Sequence, residues 1–278
     1  MKTVHSPLFR KTWSILDQSN TGLAMNPMQS FAYDDTLCRL VANEDDIGIA
    51  RTWVHDKTIV LGIQDSRLPH VQDGIKFLKE HGYEVIVRNS GGLAVVLDPG
   101  VLNISLLFKD GKDMSIDRGY ELMVELMKGL LSEFKEDIVD GEIAESYCPG
   151  RYDLSVHGQK FAGISQRRIR GGVAVQIYLA VSGSGSDRAE LIRKFYDHAV
   201  QGVPTKYTYP QIIPEKMASI SEITGRKYTV NELTHQLLLT LQSLSEKLDT
   251  FQVKNEHWKI YEENYERMLK RNEKLITD

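Results

Sequence analysis

Cysteine is scarce in this chain of 278 residues, which contains only Cys38 and Cys148. Two thiols are too few for a disulfide scaffold, so we expect a protein of the reducing cytoplasm that is held together by an apolar core. No apolar run approaches the ~18 residues that would span a bilayer, and no basic start followed by an apolar stretch marks a secretion signal. The sequence therefore predicts a cytoplasmic protein that does not enter a membrane.

An excess of positive charge and the usual metal-ligand spacings are also lacking. The net charge is -4 at pH 7, whereas a general nucleic-acid binder would usually be basic. The eight histidines are scattered without the spacing of metal ligands. There is no Walker lysine loop, no G-x-S-x-G elbow and no H-E-x-x-H pair. We therefore expect no nucleic acid and no metal.

Apolar periodicity predicts an α+β protein with a mixed, largely antiparallel sheet flanked by helices. Helical spacing indicates helices at 29–42, about 71–80, from 117 and at 188–201. Apolar runs indicate strands at 47–54, 58–63, 83–88, 93–97, 102–108, 152–156, 159–166 and 173–181. Paired strands without strict βαβ alternation favour this class. In the first helix, Cys38 is predicted on the buried face and Asp34 and Asp35 on the other face.

The region after Pro210 is predicted to be helical. It ends in an amphipathic helix, one face of which carries Trp258, Tyr261, Tyr265, Met268 and Leu275.

The residues with the clearest chemical potential lie between Arg88 and Arg170. Cys148 lies beside a Pro-Gly turn, and a nearby cation such as Lys160 would favour the nucleophilic thiolate. The loop Ser90-Gly91-Gly92 exposes backbone N–H groups to a substrate. These features suggest acyl transfer, although the residues alone leave open a structural cysteine, a solvent-exposed strand lysine and a simple turn.

Local pairing does not bring the cysteine and the lysine together. If His157-Gly158 is a two-residue hairpin turn, Lys160 lies opposite Ser155. Cys148 would then lie further along the partner strand, ~20 Å away if that strand is straight. Only a chain reversal at Pro149-Gly150 or a tertiary approach would join the two side chains.

Three motifs, taken in this order, resemble the lipoate–protein ligase and octanoyltransferase superfamily. They are R-N-S-G-G-L-A-V from Arg88, C-P-G-R-Y-D-L from Cys148 and Q-K-F-A-G-I-S-Q from Gln159. The resemblance covers roughly residues 30 to 250. It implies a biotin/lipoate ligase-like catalytic domain over 1–250, with its core at about 30–210, and a C-terminal amphipathic helix over 251–278 packed on it. It assigns acyl binding to Arg88, Ser90, Gly91, Gly92 and Gly163, and catalysis to Cys148 and Lys160.

Within the superfamily, the cysteine motif is most similar to bacterial N-octanoyltransferases that use the H protein of the glycine cleavage system. This implies that Cys148 takes octanoyl from a lysine amide of the H protein as a thioester. A lysine on a lipoyl domain of a 2-oxo acid dehydrogenase complex would then attack the thioester, in protein lipoylation. The resemblance gives Lys160 the role of the positive charge that favours the thiolate. It implies no metal, nucleotide or other cofactor.

Three alternatives remain open from the sequence. The octanoyl donor could be acyl carrier protein, the enzyme could be an ATP-dependent lipoate–protein ligase, or the protein could bind lipoyl domains without catalysis. ATP-using ligases usually read R-R-x-x-G-G-G, and Asn89 and Leu93 depart from that pattern. Arg167, Arg168 and Arg170 form a basic cluster that suits docking of an acidic protein partner.

Overall fold

Two β-sheets and seven α-helices form the part of the chain that the computed structural model describes, residues 6–276. The large sheet contains β1 (Arg10–Gln18), β2 (Ile47–Trp53), β6 (Val101–Lys109), β7 (Val139–Asp140), β8 (Leu154–Val156), β9 (Gln159–Ile169), β10 (Gly172–Ala180) and β11 (Ser245–Thr250). The small sheet contains β3 (Thr58–Leu61), β4 (Glu84–Val87) and β5 (Val95–Leu97). The helices are α1 (Pro27–Val41), α2 (Val71–Glu80), α3 (Ile116–Leu130), α4 (Gly185–Val200), α5 (Ile220–Thr224), α6 (Val230–Ser243) and α7 (Asn255–Ile276).

The large sheet is mixed and largely antiparallel, which confirms the predicted class. Its strand order is β11-β1-β2-β6-β10-β9-β8-β7. Only β1 pairs in parallel, with β2 on one side and β11 on the other. The small sheet has the order β4-β3-β5. The glycine loop begins at the end of β4, and the small sheet shares an apolar cluster with side chains of the large sheet.

The sheet extends beyond the predicted core of residues 30–210. β1 and β11 lie outside that core and form one edge of the large sheet. The region after Pro210 is therefore not wholly helical, because β11 interrupts it. The physical reason is that β11 is a polar edge strand, mostly exposed, which lacks the apolar alternation of a half-buried strand.

Helices cover the sheets on both sides. The aliphatic faces of α3 and α6 pack on one face of the large sheet, and α2 and α4 pack with the small sheet. Cys38 of α1 is fully buried against the other face of the large sheet, as predicted. No helix among residues 6–276 is long and apolar enough to cross a membrane.

The C-terminal helix α7 packs on α1, as the amphipathic pattern predicts. Tyr261 lies against Tyr33 with ring centroids 4.7 Å apart, and Asn264 Nδ2 donates to Thr36 Oγ1 at 3.0 Å. Near its end, Asn272 Oδ1 accepts from Val87 N at 2.7 Å, so the helix is tied to β4 directly before the glycine loop. Trp258 differs from the prediction, since it remains 42% exposed.

Candidate active site

Every residue predicted for catalysis or acyl binding lines one cavity of about 270 Å³. The loop after β4 contributes Arg88, Ser90, Gly91 and Gly92, the β7–β8 connection contributes Cys148, and β9 contributes Lys160 and Gly163. The apolar side chains that line the cavity include Phe31, Trp53, Val60, Val95, Leu97 and Ile177. The arrangement is a polar end that carries a thiol, joined to an apolar recess.

The Cys148 sulfur is held by two donors from the glycine loop. Leu93 N–H donates to Sγ at 3.1 Å, and Arg88 Nη2 donates to Sγ at 3.3 Å. The backbone of Cys148 has a φ of 45°, a left-handed conformation that few side-chain-bearing residues adopt. Strained backbone of this kind collects at functional sites, where the surrounding contacts hold it in place.

Arg88 combines burial with an incomplete set of partners. Its side chain is largely buried, and Nη2 also donates to the carbonyl oxygen of Leu93. Within residues 6–276, Nε of Arg88 and the hydroxyl of Ser90 are buried without a hydrogen-bond partner. Both residues line the cavity, so its polar end has unused hydrogen-bonding capacity.

Lys160 is buried, and it approaches Cys148 through the backbone. The predicted register is confirmed, because Lys160 pairs with Ser155 across the hairpin. Nζ donates to the carbonyl oxygens of Tyr147 at 3.0 Å and Cys148 at 2.8 Å, and to Ser146 Oγ at 3.1 Å. The solvent-exposed alternative is therefore wrong, since only 2% of Lys160 is exposed. Lys160 and the glycine loop therefore contact different parts of Cys148. The ammonium binds the carbonyl oxygen of Cys148, and the sulfur accepts from Arg88 and Leu93.

Asp153 explains how the chain reverses between Cys148 and Lys160. Its Oδ2 accepts from Gly150 N–H at 3.0 Å and lies 3.0 Å from Lys160 Nζ, and its own N–H donates to Gly150 O at 3.0 Å. Burial raises the pKa of the Asp153 carboxyl, and the charge of Lys160 partly opposes that increase. Asp153 belongs to the cysteine motif C-P-G-R-Y-D-L, which by itself does not indicate a role for this carboxylate. The available signal was a carboxylate placed directly after a Pro-Gly turn.

A buried ion pair supports the cavity wall. Arg51, which is fully buried, donates to Asp34 Oδ1 at 2.9 Å, and Gln176 of the cavity lining donates to Asp34 Oδ2 at 2.6 Å. Asp35 of the same helix is also buried. The expectation that both carboxylates lie on a face away from the core is therefore wrong, because partners distant in sequence satisfy them.

The predicted docking cluster is partly committed to internal contacts. Arg167 donates to both carboxylate oxygens of Asp35, from Nε at 2.8 Å and from Nη2 at 3.0 Å. Asp35 also accepts from Asn89 of the glycine loop. Arg168 forms an ion pair with Asp110. Arg170 is exposed. The docking role of the cluster remains a prediction.

Within residues 6–276, no group of three or more histidine, cysteine or acidic side chains is arranged to hold a metal ion. What the cavity offers is a thiol, two donors to its sulfur and an apolar recess, which are the parts that acyl transfer through a thioester requires.

Comparison with known proteins identifies the family. A model described as the lipoyl protein ligase A/B catalytic domain matches residues 26–242. A relative from Geobacillus kaustophilus is 50% identical over 98% of this chain and 96% of its own length, and one from Bacillus velezensis is 54% identical over 97% and 95%. Both are named octanoyl-GcvH:protein N-octanoyltransferase. A solved T. acidophilum structure, described as a lipoate protein ligase with bound lipoic acid, has the same fold, with a TM-score of 0.68 at 18% identity over 93% of this chain and 95% of that one. The chain therefore belongs to the lipoyl protein ligase A/B catalytic domain family.

Proposed function

We propose that this protein is an acyltransferase that moves an octanoyl group from a lysine of GcvH to a lysine of a lipoyl domain in a 2-oxo acid dehydrogenase complex. GcvH is the H protein of the glycine cleavage system. It appears in the names of the relatives that are 50% and 54% identical to this chain. The observation that carries the proposal is the Cys148 sulfur, which receives two hydrogen bonds at the polar end of an apolar cavity.

The reaction proceeds through a Cys148 thioester in two balanced halves. The thiolate attacks the carbonyl carbon of the octanoyl amide, an S–C bond forms, the C–N bond breaks, and the donor lysine leaves as an amine that gains one proton. The amine of the acceptor lysine then attacks the thioester, a C–N bond forms, the C–S bond breaks, and one proton is released. The sulfur returns to the thiolate, so the cycle needs no metal, nucleotide or redox partner.

Hydrogen-bond donors of the glycine loop stabilise charge during these steps. The Leu93 N–H and the Arg88 guanidinium favour the thiolate before attack and after the thioester breaks. The Ser90 hydroxyl and Arg88 Nε lack partners in the described structure, so they can donate to the octanoyl carbonyl oxygen as it becomes negative. The octanoyl tail occupies the apolar recess, where its transfer from water is favourable.

Lys160 acts chiefly by holding the backbone of Cys148. Its ammonium binds the Cys148 carbonyl and the Asp153 carboxylate, and this fixes the turn that directs the sulfur to Leu93. The same positive charge adds to the field that favours the thiolate, although Asp153 offsets part of it. Gly163 lies beside this ion pair, and a Cβ added there would make ordinary van der Waals contact, 3.5 Å from Lys160 Nζ.

A covalent adduct provides the test. After incubation with octanoylated GcvH, intact-mass analysis should detect one octanoyl group on the wild-type protein and none on Cys148→Ala. Addition of an apo lipoyl domain should discharge the adduct and octanoylate that domain. An adduct that survives Cys148→Ala, or a wild-type protein that never acquires one, would refute the proposal.

Related experiments distinguish the three alternative functions. Octanoyl acyl carrier protein in place of GcvH should load Cys148 more slowly, and a faster reaction would change the assigned donor. Lipoate with ATP should release no pyrophosphate. Binding of lipoyl domains with no acyl transfer would point to a non-catalytic role.

A further inference from the structure

We infer that an exposed basic groove on α7 is the docking site for an acidic face of octanoylated GcvH. Arg67, Arg267, Lys270 and Arg271 define this basic groove, which has a volume of about 820 Å³. The inference rests on the proposed function, because it names the surface that presents the donor lysine to Cys148.

The four cations of the basic groove are free to meet a partner. All four are exposed, and none forms an ion pair with a residue of the described range 6–276. Lys270 and Arg271 lie three and four residues after Arg267, so all three lie towards one side of α7. Asp73 is the one carboxylate in the lining, and its Oδ2 already accepts from Gln201 Nε2 at 2.7 Å. The other titratable group in the lining is His70, which lies 3.8 Å from Asp73.

This distribution of charge contrasts with the rest of the chain. The net charge of the protein is -4, whereas the basic groove brings four cations together. A local cluster of cations attracts an acidic partner and orients it during encounter. By comparison, Arg167 and Arg168 of the predicted docking cluster already have carboxylate partners.

The basic groove is continuous with the reactive cysteine's surroundings. A second groove shares Ile63 and Arg67 with the basic groove. The same second groove shares Ser90, Gly91, Gly92 and Pro149 with the cavity that contains Cys148. A domain seated on α7 can therefore extend its acylated lysine along the second groove to the glycine loop.

Catalysis through one sulfur adds a consequence for the acceptor. The donor and acceptor lysines react with the same atom in turn, so the two domains cannot be bound productively at the same time. We therefore expect an apo lipoyl domain to compete with octanoylated GcvH for the basic groove.

The test is a double charge reversal, Arg267→Glu with Arg271→Glu, measured with octanoylated GcvH as substrate. At low salt, KM should increase by about tenfold or more, while kcat changes little. High salt should raise the KM of the wild type and reduce the difference from the variant. Alkylation of Cys148 by iodoacetamide should keep its wild-type rate, which shows that the active site is intact.

The matched control is Lys112→Glu with Lys259→Glu. These two lysines are exposed and lie outside the cavity, the second groove and the basic groove. The double reversal changes the net charge by the same amount as the test variant. The inference is overturned if the control raises KM as much as the test variant, or if Arg170→Glu raises KM and the test variant does not. Failure of the proposed function is distinguishable, because the wild-type protein would then form no octanoyl adduct on Cys148.

Discussion

Replacement of Gly92 by alanine tests the geometry on which the proposed chemistry depends. Gly92 has a φ of 110°, a value that favours glycine. A Cβ at this position would overlap Arg88 Nη2, and it would lie 2.8 Å from Arg88 Cζ and 3.0 Å from Cys148 Sγ. The guanidinium is buried and bonded to the Leu93 carbonyl, so we expect it to move away from the sulfur.

The size of the effect follows from the hydrogen bond that is lost. A hydrogen bond to a charged group contributes about 1.5–3 kcal/mol, and each 1.4 kcal/mol is a factor of about ten in an equilibrium constant. A less stabilised thiolate is more nucleophilic, which recovers nearly half of that loss on a logarithmic scale. We therefore expect Gly92→Ala to slow alkylation of Cys148 by iodoacetamide at neutral pH by about fourfold to twentyfold. Octanoyl transfer should slow at least as much, because the acyl group occupies the same space.

Two further glycine variants separate the causes. Gly91→Ala makes the same change one residue earlier, where a Cβ meets nothing within 4 Å, so its effect on alkylation should be smaller. Gly202→Ala has a positive φ of 69° with open space around it, so it isolates backbone strain, which costs about 1–3 kcal/mol of unfolding free energy. A folded Gly92→Ala protein that is alkylated as fast as wild type would refute the assigned contact between Arg88 and Cys148.

Two predictions concern stability. Burial raises the pKa of Asp65 from 3.8 to about 6, so the folded state holds this proton more tightly than the unfolded state. The unfolding free energy of the wild type, relative to Asp65→Asn, should therefore fall by about 2 kcal/mol as the pH rises from about 4 to about 7; urea denaturation at the two pH values checks this, and a constant difference contradicts it. Lys160→Met leaves the buried Asp153 carboxylate unpaired and should cost about 3–5 kcal/mol. The added change Asp153→Asn should restore part of that loss, whereas strictly additive effects in the double-mutant cycle would argue against the pair.

Local features of the fold were predictable from the sequence, because they depend on neighbouring residues. The helix at 71–80 is found as α2, Val71–Glu80, since its apolar spacing and the glycine after it are local signals. The pairing of Ser155 with Lys160 follows from the length of the turn between them. The edge formed by β1 and β11 was not predictable, because each strand depends on a partner from the opposite end of the chain.

Burial of charged side chains was not predictable from the sequence. The acidic residues Asp34 and Asp35 indicated a solvent-facing side of α1, yet both are buried. Their partners Arg51 and Arg167 come from β2 and β9, which no spacing along α1 could identify. A buried carboxylate needs such partners to offset its desolvation, so the error could be corrected only with tertiary structure.

Arg88 and Lys160 contact different parts of Cys148. Lys160 is ion-paired with Asp153, so part of its field at the sulfur is cancelled, while its hydrogen bonds fix the backbone carbonyl of Cys148. Arg88 forms no ion pair within the described residues and donates directly to the sulfur, so more of its charge acts on the thiolate. We therefore propose that the lysine motif holds the backbone of the cysteine, and that the glycine-loop motif stabilises a negative charge on its sulfur. Because each motif supplies only one of these two requirements, neither was interpretable alone, and their presence in one chain is what predicts the chemistry.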